Sequence, residues 1–476
     1  MRRTLRRSCE ACAKSKLSCD LRTPQCSRCI KRKITNCVYA NEPLTLSPTE
    51  QSAIATLNHG PSTFKESAQS AVSPPTLLGG SLSQAFDPFD VYPRTRLPRA
   101  RVQQLINHFL SSIAFQYYPL DLGKSSNPFV VSWWPLALQD PALFHVSLQT
   151  ASLDLDLKAK NGFQNSEILM QDSISLVRQR VEDQFLSCSD ETMDSVVTLA
   201  AIEFGKGNFS VGSMHIEGVI KMVLMRGGIH TLKLTSPLTA RMVSWVSMIL
   251  LQTPQFDVQN DWGRGDAIAP IPQWVDAADK SQKELPSHFV GLEIQLSVRD
   301  TLLRLRSIFD MSQQQALSTT DLHDLTCFVL HKLLSLSPPP FETSRGVAES
   351  ECVRYSVALY MLIIHGPTYF THAHLQSNLV SGLRAHLDGT MQSLSLYHEA
   401  IALWGLTVGM VASDGTSENF LFESQVKALC VRLNLHAWVD IRNLLEQVLW
   451  YKMPWAELIF QQRWEMAMMT TWSHCH

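Results

Sequence analysis

Residues 9–37 read CEACAKSKLSCDLRTPQCSRCIKRKITNC, and this stretch decides how the chain is interpreted. Its cysteines, Cys9, Cys12, Cys19, Cys26, Cys29 and Cys37, follow the spacing C-x2-C-x6-C-x6-C-x2-C-x7-C, with arginines and lysines packed between them. C-x2-C pairs place two thiolates around one ion, and tetrahedral sulfur coordination is what zinc selects. Two tetrahedral ions offer eight ligand positions to these six thiolates. Two thiolates must therefore be shared, giving a compact binuclear cluster. The halves Cys9–Cys19 and Cys26–Cys37 are pseudo-symmetric, which makes Cys9 and Cys26 the natural bridges. A module this short needs a metal or disulfides to fold, and structural zinc binding supplies about 10–16 kcal/mol. The spacing predicts a short helix starting at each C-x2-C, with Lys14 and Lys16 on the first and Arg28, Lys31, Arg32 and Lys33 on or after the second.

Charge points to the partner. The whole chain has a formal net charge of −2, but residues 1–40 carry eleven Lys/Arg against Glu10 and Asp20, a formal +9, and the remainder carries −11. Six thiolates on two Zn2+ contribute −2, which leaves the module near +7 and suited to a polyanion. Cys188, Cys327, Cys352, Cys430 and Cys475 lack a ligand-like rhythm. The Arg-rich N-terminus has no apolar signal stretch, so a disulfide framework is not expected. No run approaches the ~20 apolar residues of a membrane span, and Met361–Ile364 reads as a core-sized patch. The expectation is an intracellular chain with no membrane partner.

Residues 41–95 are rich in Ser, Thr, Pro and Gly and read as a flexible linker. Its prolines, among them Pro43, Pro48, Pro61, Pro74 and Pro75, exclude a dimerising coiled coil. A homodimer is compatible with the sequence, but not one made by the linker. From about residue 96 to 476 the apolar period is helical. Asp140-Pro141 is a helix start, an N-cap followed by proline at the first helical position; Phe144, Leu148, Ala151 and Leu155 recur after it. Other amphipathic stretches cover about 100–116, 166–186, 190–205, 210–226, 237–252, 288–309, 320–335, 347–365, 375–396 and 421–450. Gly227-Gly228 reads as a helix stop, and 254–287 as a long irregular loop. The fold class expected is a zinc-folded module at 1–40, a linker at 41–95 and a large all-α domain at 96–476.

The six cysteines, the run Cys12-Ala-Lys-Ser-Lys-Leu-Ser-Cys19 and Thr23-Pro24-Gln-Cys26-Ser-Arg-Cys29 resemble the fungal-type zinc binuclear cluster DNA-binding domain. In that family a proline shapes the loop between the halves, the place of Pro24. The resemblance implies two zinc ions, double-stranded DNA as partner, and a base-reading lysine four residues after the second cysteine, Lys16. With nearby backbone carbonyls, such as that of Leu17, Lys16 would read a CGG-type triplet through guanine O6 and N7. Lys14, Arg6, Arg7, Arg28 and Lys31 would grip phosphates; Arg2–Arg7 also fit a nuclear-import patch. The family usually has basic residues at the positions of Ala13, Ser15 and Ser18, so the first helix carries fewer phosphate contacts here.

Farther on, Asn127-Pro-Phe, Trp134-Pro-Leu-Ala-Leu-Gln-Asp-Pro-Ala-Leu143, Ala201-Ile-Glu-Phe-Gly-Lys-Gly-Asn208, His215-Ile-Glu-Gly and Met222-Val-Leu-Met-Arg-Gly-Gly228 resemble the fungal-specific transcription factor regulatory domain. This implies an all-α region that regulates or recruits transcription machinery or co-regulators. The combined reading is a nuclear, sequence-specific regulator of RNA polymerase II transcription. The competing reading is a zinc-cluster interaction or metal-buffering protein that no longer binds DNA. No enzyme is indicated. Gly123-Lys124-Ser125 lacks the upstream glycine and the strand of a phosphate loop, and no G-x-S-x-G or H-E-x-x-H occurs. His145, His215 and His331 read as ordinary partly buried residues, His474-Cys475-His476 as a terminal tract without a metal role, and the tryptophans and methionines as core.

Overall fold

The computed structural model describes residues 10–15, 27–32, 34, 92–159, 164–278, 289–312, 316–337, 344–369 and 372–472. The chain divides into two compact units, Met1–Arg94 with Leu153–Phe163, and Thr95–Ser152 with Gln164–His476. No strand occurs among the described residues.

In the N-terminal unit two short helices, α1 (Glu10–Lys14) and α2 (Ser27–Lys31), lie in contact. Five residues are too few for a helix to hold itself in water.

The second unit opens with α3 (Arg99–His108), a π turn (Phe109–Ile113) and α4 (Ala114–Tyr117). Leu105, Phe109, Ile113 and Tyr117 are all buried at spacings of four. Such a stripe drifts around an α-helix, and the wider π turn returns it to the core. A second π turn (Phe129–Trp133) leads into α5 (Trp134–Gln139), at the place where the regulatory-domain resemblance put an early helix. Helices α6 (Pro141–Ala159), α7 (Gln164–Glu182), α8 (Asp190–Gly205), α9 (Phe209–Met225), α10 (Gly228–Thr235) and α11 (Pro237–Leu251) follow. The start of α6 is as the sequence indicates, with Asp140 Oδ1 accepting from the Leu143 N–H at 2.8 Å. The other Asp140 oxygen pairs with Arg180 of α7. Gly227 and Gly228 have φ of 86° and 90°, a left-handed pair that ends α9 and turns the chain into α10.

The segment after α11 is irregular as expected until α12 (Pro272–Asp276) interrupts it. Arg304 anchors this segment, pairing with both oxygens of Asp261 at 2.9 and 2.6 Å while its guanidinium lies over the Trp274 ring. Then come α13 (Leu296–Met311), α14 (Thr319–Leu334), α15 (Ser344–His365), α16 (Ala373–Tyr397) and α17 (Glu399–Ala412). The last are α18 (Asn419–Arg432), α19 (Trp438–Val448) and α20 (Pro454–Trp472).

Three expectations need correction. The helix expected over 288–309 begins only at Leu296, because Gly291 at φ 90° breaks the path before it. The stretch 421–450 is two helices, divided where Asn434 adopts φ 55°. Helix α17, absent from the amphipathic stretches, is the centre of the core: Ala400 to Ala412 are all buried. It is apolar on every side, so it shows no period to find. Buried aromatics tie its neighbours together: the Trp404 indole N–H donates to the Leu449 carbonyl at 2.9 Å, and the Tyr451 N–H donates to the Tyr360 hydroxyl at 2.8 Å.

Candidate metal centre and nucleic-acid interface

Helix α1 begins at the residue after Cys9, and α2 at the residue after Cys26, as the C-x2-C spacing predicts. Cys12 and Cys29 each occupy the third position of their helix, and both are buried, 3% and 1% exposed. Lys14 and Lys31 occupy the fifth position of each helix and are exposed, as are Ser15 and Arg32; Arg28 is half-buried. The described part of each half therefore turns one thiol inward and one lysine outward, in the same order. The Ser15 N–H donates to the Ala11 carbonyl at 3.2 Å and the Arg32 N–H to the Arg28 carbonyl at 3.1 Å, continuing each helix by one bond. Cys9, Cys19, Cys26 and Cys37 lie outside the described residues, as do Arg6, Arg7, Lys16, Leu17 and Lys33.

The two described thiols are donors of the type that zinc selects, though no group of three possible ligands occurs among the described residues. Two soft sulfur donors sit at equivalent, sheltered points of two touching helices that are too short to stand alone. The surrounding cations offset the charge that ionised thiols would carry.

The sequence singles out three histidines and a Gly-Lys-Ser run in the helical unit, and the structure places them at separate points. His145 is buried, its Nδ1 2.7 Å from the Pro141 carbonyl, and burial lowers its basicity. His331 hydrogen-bonds the Cys327 carbonyl at 2.8 Å, and burial pushes its pKa down to about 4. His215 is half-buried and likewise lowered by burial. His215 is partly buried as expected, whereas His145 and His331 are buried outright, at 3% and 1% exposure. Gly123-Lys124-Ser125 is a turn in which Asp121 Oδ1 accepts from the Gly123 N–H at 2.8 Å and the Ser126 hydroxyl at 2.9 Å. An acceptor carboxylate at its centre is the opposite of a phosphate cradle. His474-Cys475-His476 lies outside the described residues. Trp133, Trp274 and Trp404 are core, whereas Trp262 stands exposed on the segment before α12.

Sequence reasoning did not find one buried polar cluster. His323 of α14 and His365 of α15 lie with Nδ1 and Nε2 2.9 Å apart, and His365 stacks on Trp245 of α11 at 4.1 Å between ring centroids. The His365 Nδ1 is 3.3 Å from the Gly366 carbonyl, which can only accept. His365 is therefore protonated at Nδ1, and its Nε2 accepts from the Nδ1–H of His323. Burial holds His323 at about 4 and His365 well below the usual range, so both are neutral near pH 7. Next to His323, Asp324 takes two hydrogen bonds from Arg241 at 2.7 and 2.9 Å and pairs with Lys233 at 2.9 Å. The cluster joins α10, α11, α14 and α15. Its members are separated by up to 132 positions, and no local spacing signals them.

Residues 7–46 match the family model of the fungal Zn(2)-Cys(6) binuclear cluster domain, and residues 104–251 match that of the fungal specific transcription factor domain. In these two regions the chain is similar to fungal-type binuclear-cluster transcription regulators, whose cluster domain binds zinc. Neither matched family is an enzyme family. No curated protein and no solved structure shows significant similarity to the chain. No described helix is long and apolar enough to cross a membrane.

Proposed function

We propose that this chain is a zinc-dependent, sequence-specific DNA-binding regulator of RNA polymerase II transcription, acting in the nucleus and reading a CGG-type triplet in the major groove. Residues 1–40 form the reader, 41–95 the tether and 96–476 the regulatory part. The observation that carries the reading is the repeated arrangement in α1 and α2, buried Cys12 and Cys29 with exposed Lys14 and Lys31, inside a six-cysteine framework. Cys9, Cys12, Cys19, Cys26, Cys29 and Cys37 would hold two zinc ions, with Cys9 and Cys26 shared. Bound zinc supplies rigid tetrahedral coordination and the folding energy of the module.

The residues divide the work. Lys16 donates to guanine O6 and N7, and the Leu17 backbone lies beside it. Lys14, Arg6, Arg7, Arg28 and Lys31 neutralise phosphates, setting position without reading sequence. The helical region contributes contacts to transcription machinery or co-regulators. Lys16→Ala tests the assignment. It is expected to leave zinc content unchanged and to cost ~1–3 kcal/mol of discrimination between CGG and scrambled duplexes, read by gel shift at fixed salt. An unchanged specificity ratio would remove Lys16 from the reading role. A chain that retains two zincs yet binds no duplex in a CGG library would favour the zinc-cluster interaction protein instead.

A further inference from the structure

The outer face of α9 belongs neither to the zinc module nor to the core. On its inner side Gly212, Ile216, Val219 and Val223 are buried, and Gly212 lies so close to the Phe204 ring that a Cβ would come within 2.2 Å of it. On its outer side Met214, Leu224 and Met225 are 59%, 60% and 69% exposed. Glu217 and Lys221 stand between these apolar ends, also exposed. Gly218 lies among them, and a Cβ there would have nothing within 4 Å. Along the helix the stripe runs apolar, acidic, open, basic, apolar.

That order is complementary to its own reverse. A two-fold axis at the height of residues 219–220 sets Met214 against the Met225 of a second copy, and Glu217 against its Lys221. Each pairing is made twice, as an isologous interface requires. At 1.5 Å per residue the two methionines stand about 16 Å apart along the helix, with both charge pairs between them. Gly218 leaves room for the backbones to approach. A parallel pairing would set Glu217 against Glu217 and Lys221 against Lys221. Reversal symmetry with both signs is what a second copy of the same face supplies.

We infer that the outer face of α9 is a self-association surface on which a second copy of this chain packs antiparallel across Gly218. The linker prolines exclude a coiled coil there, and this face supplies dimerisation from the helical region. The inference is independent of DNA recognition, because it is read without DNA.

The test is charge exchange in the full-length, zinc-loaded chain, followed by sedimentation velocity across a concentration series. Wild type is expected to dimerise, and Glu217→Lys and Lys221→Glu alone are each expected to weaken dimerisation at least tenfold. Mixing these two single variants restores opposite charges at both pairings, so the mixture is expected to form heterodimers. The double variant carrying both changes is expected to regain wild-type dimerisation. Met214→Asp is expected to leave a monomer. All three positions are exposed, and circular dichroism at 222 nm verifies that each variant is folded. A wild type that stays monomeric at 50 μM (about the highest concentration of such a series) overturns the inference. So do single variants that dimerise like wild type, or exchanged charges that fail to restore association.

Discussion

Gly409 and Gly218 are both helical glycines, and the structure predicts that alanine acts on them with opposite sign. At Gly409 in α17 a Cβ would meet three atoms of the Phe422 ring at 2.3, 2.5 and 2.9 Å. Ordinary contact begins near 3.5 Å, so the ring must move by about 1 Å. It has no exit, because Phe422 of α18 is fully buried. Overpacking of this kind costs about 1–3 kcal/mol, and the helix preference of alanine over glycine returns about 1 kcal/mol. Gly409→Ala is therefore expected to destabilise by up to roughly 2 kcal/mol. Gly218→Ala meets nothing within 4 Å. It keeps only the helix gain and is expected to stabilise by about 0.5–1 kcal/mol. Urea denaturation followed at 222 nm, at a protein concentration low enough to keep every variant monomeric, reads both. Adding Phe422→Leu to Gly409→Ala should recover part of the loss in a double-mutant cycle, because the two side chains compete for the same space. A Gly409→Ala that stabilises as Gly218→Ala does would show that α17 and α18 are not packed as described.

Acid should weaken the helical unit through its buried histidines. His323, His331 and His372 are held at about 4 by burial, below the 6.5 of the unfolded chain. The unfolded state thus takes up protons first, so stability is full above pH 6.5 and falls between pH 6.5 and 4, by up to roughly 1.4 kcal/mol per pH unit for each histidine. Equal thermal midpoints at pH 7.5 and pH 5 would contradict this. Arg241→Ala leaves the buried Asp324 with Lys233 alone and is expected to cost about 3 kcal/mol, checked by the shift in urea midpoint. Lys233→Ala, which leaves the two Arg241 bonds in place, should cost less. Zinc chelation is expected to unfold the N-terminal module and abolish duplex binding while the 222 nm signal of the helical unit persists. A large helical loss on chelation would refute the separation.

What could be read along the chain was whatever had a local cause. Helices α1 and α2 begin within the C-x2-C pairs, the spacing from which the sequence predicts them. Asp140-Pro141 starts α6 because the carboxylate satisfies a free N–H of the first turn. The limits 190–205 of α8 were legible for the same reason: Ser189 accepts from the Thr192 N–H at one end, and Gly207 at φ 78° closes the other. Helix α17 was not legible, since a helix buried on all sides has no polar face to mark its period. The break at Asn434 was hidden in a stretch whose apolar period continues through it. The π turns answer to a burial pattern that only the packed neighbours impose.

The amino-acid sequence by itself determined the cysteine framework, the charge division and the helical class. Ligand spacing, formal charge and apolar period are properties of residues near one another in the chain. The tertiary structure decided which faces those helices bury. It joined His323 and His365 of different helices with Trp245, and Arg241 with Asp324, since a buried polar group must find its partner wherever the fold brings one. It also left Met214, Glu217, Lys221 and Met225 uncovered together. Exposure is a relation between a residue and the elements packed around it, and a period of 3.6 shows that a helix has two faces without saying which face the rest of the chain will cover.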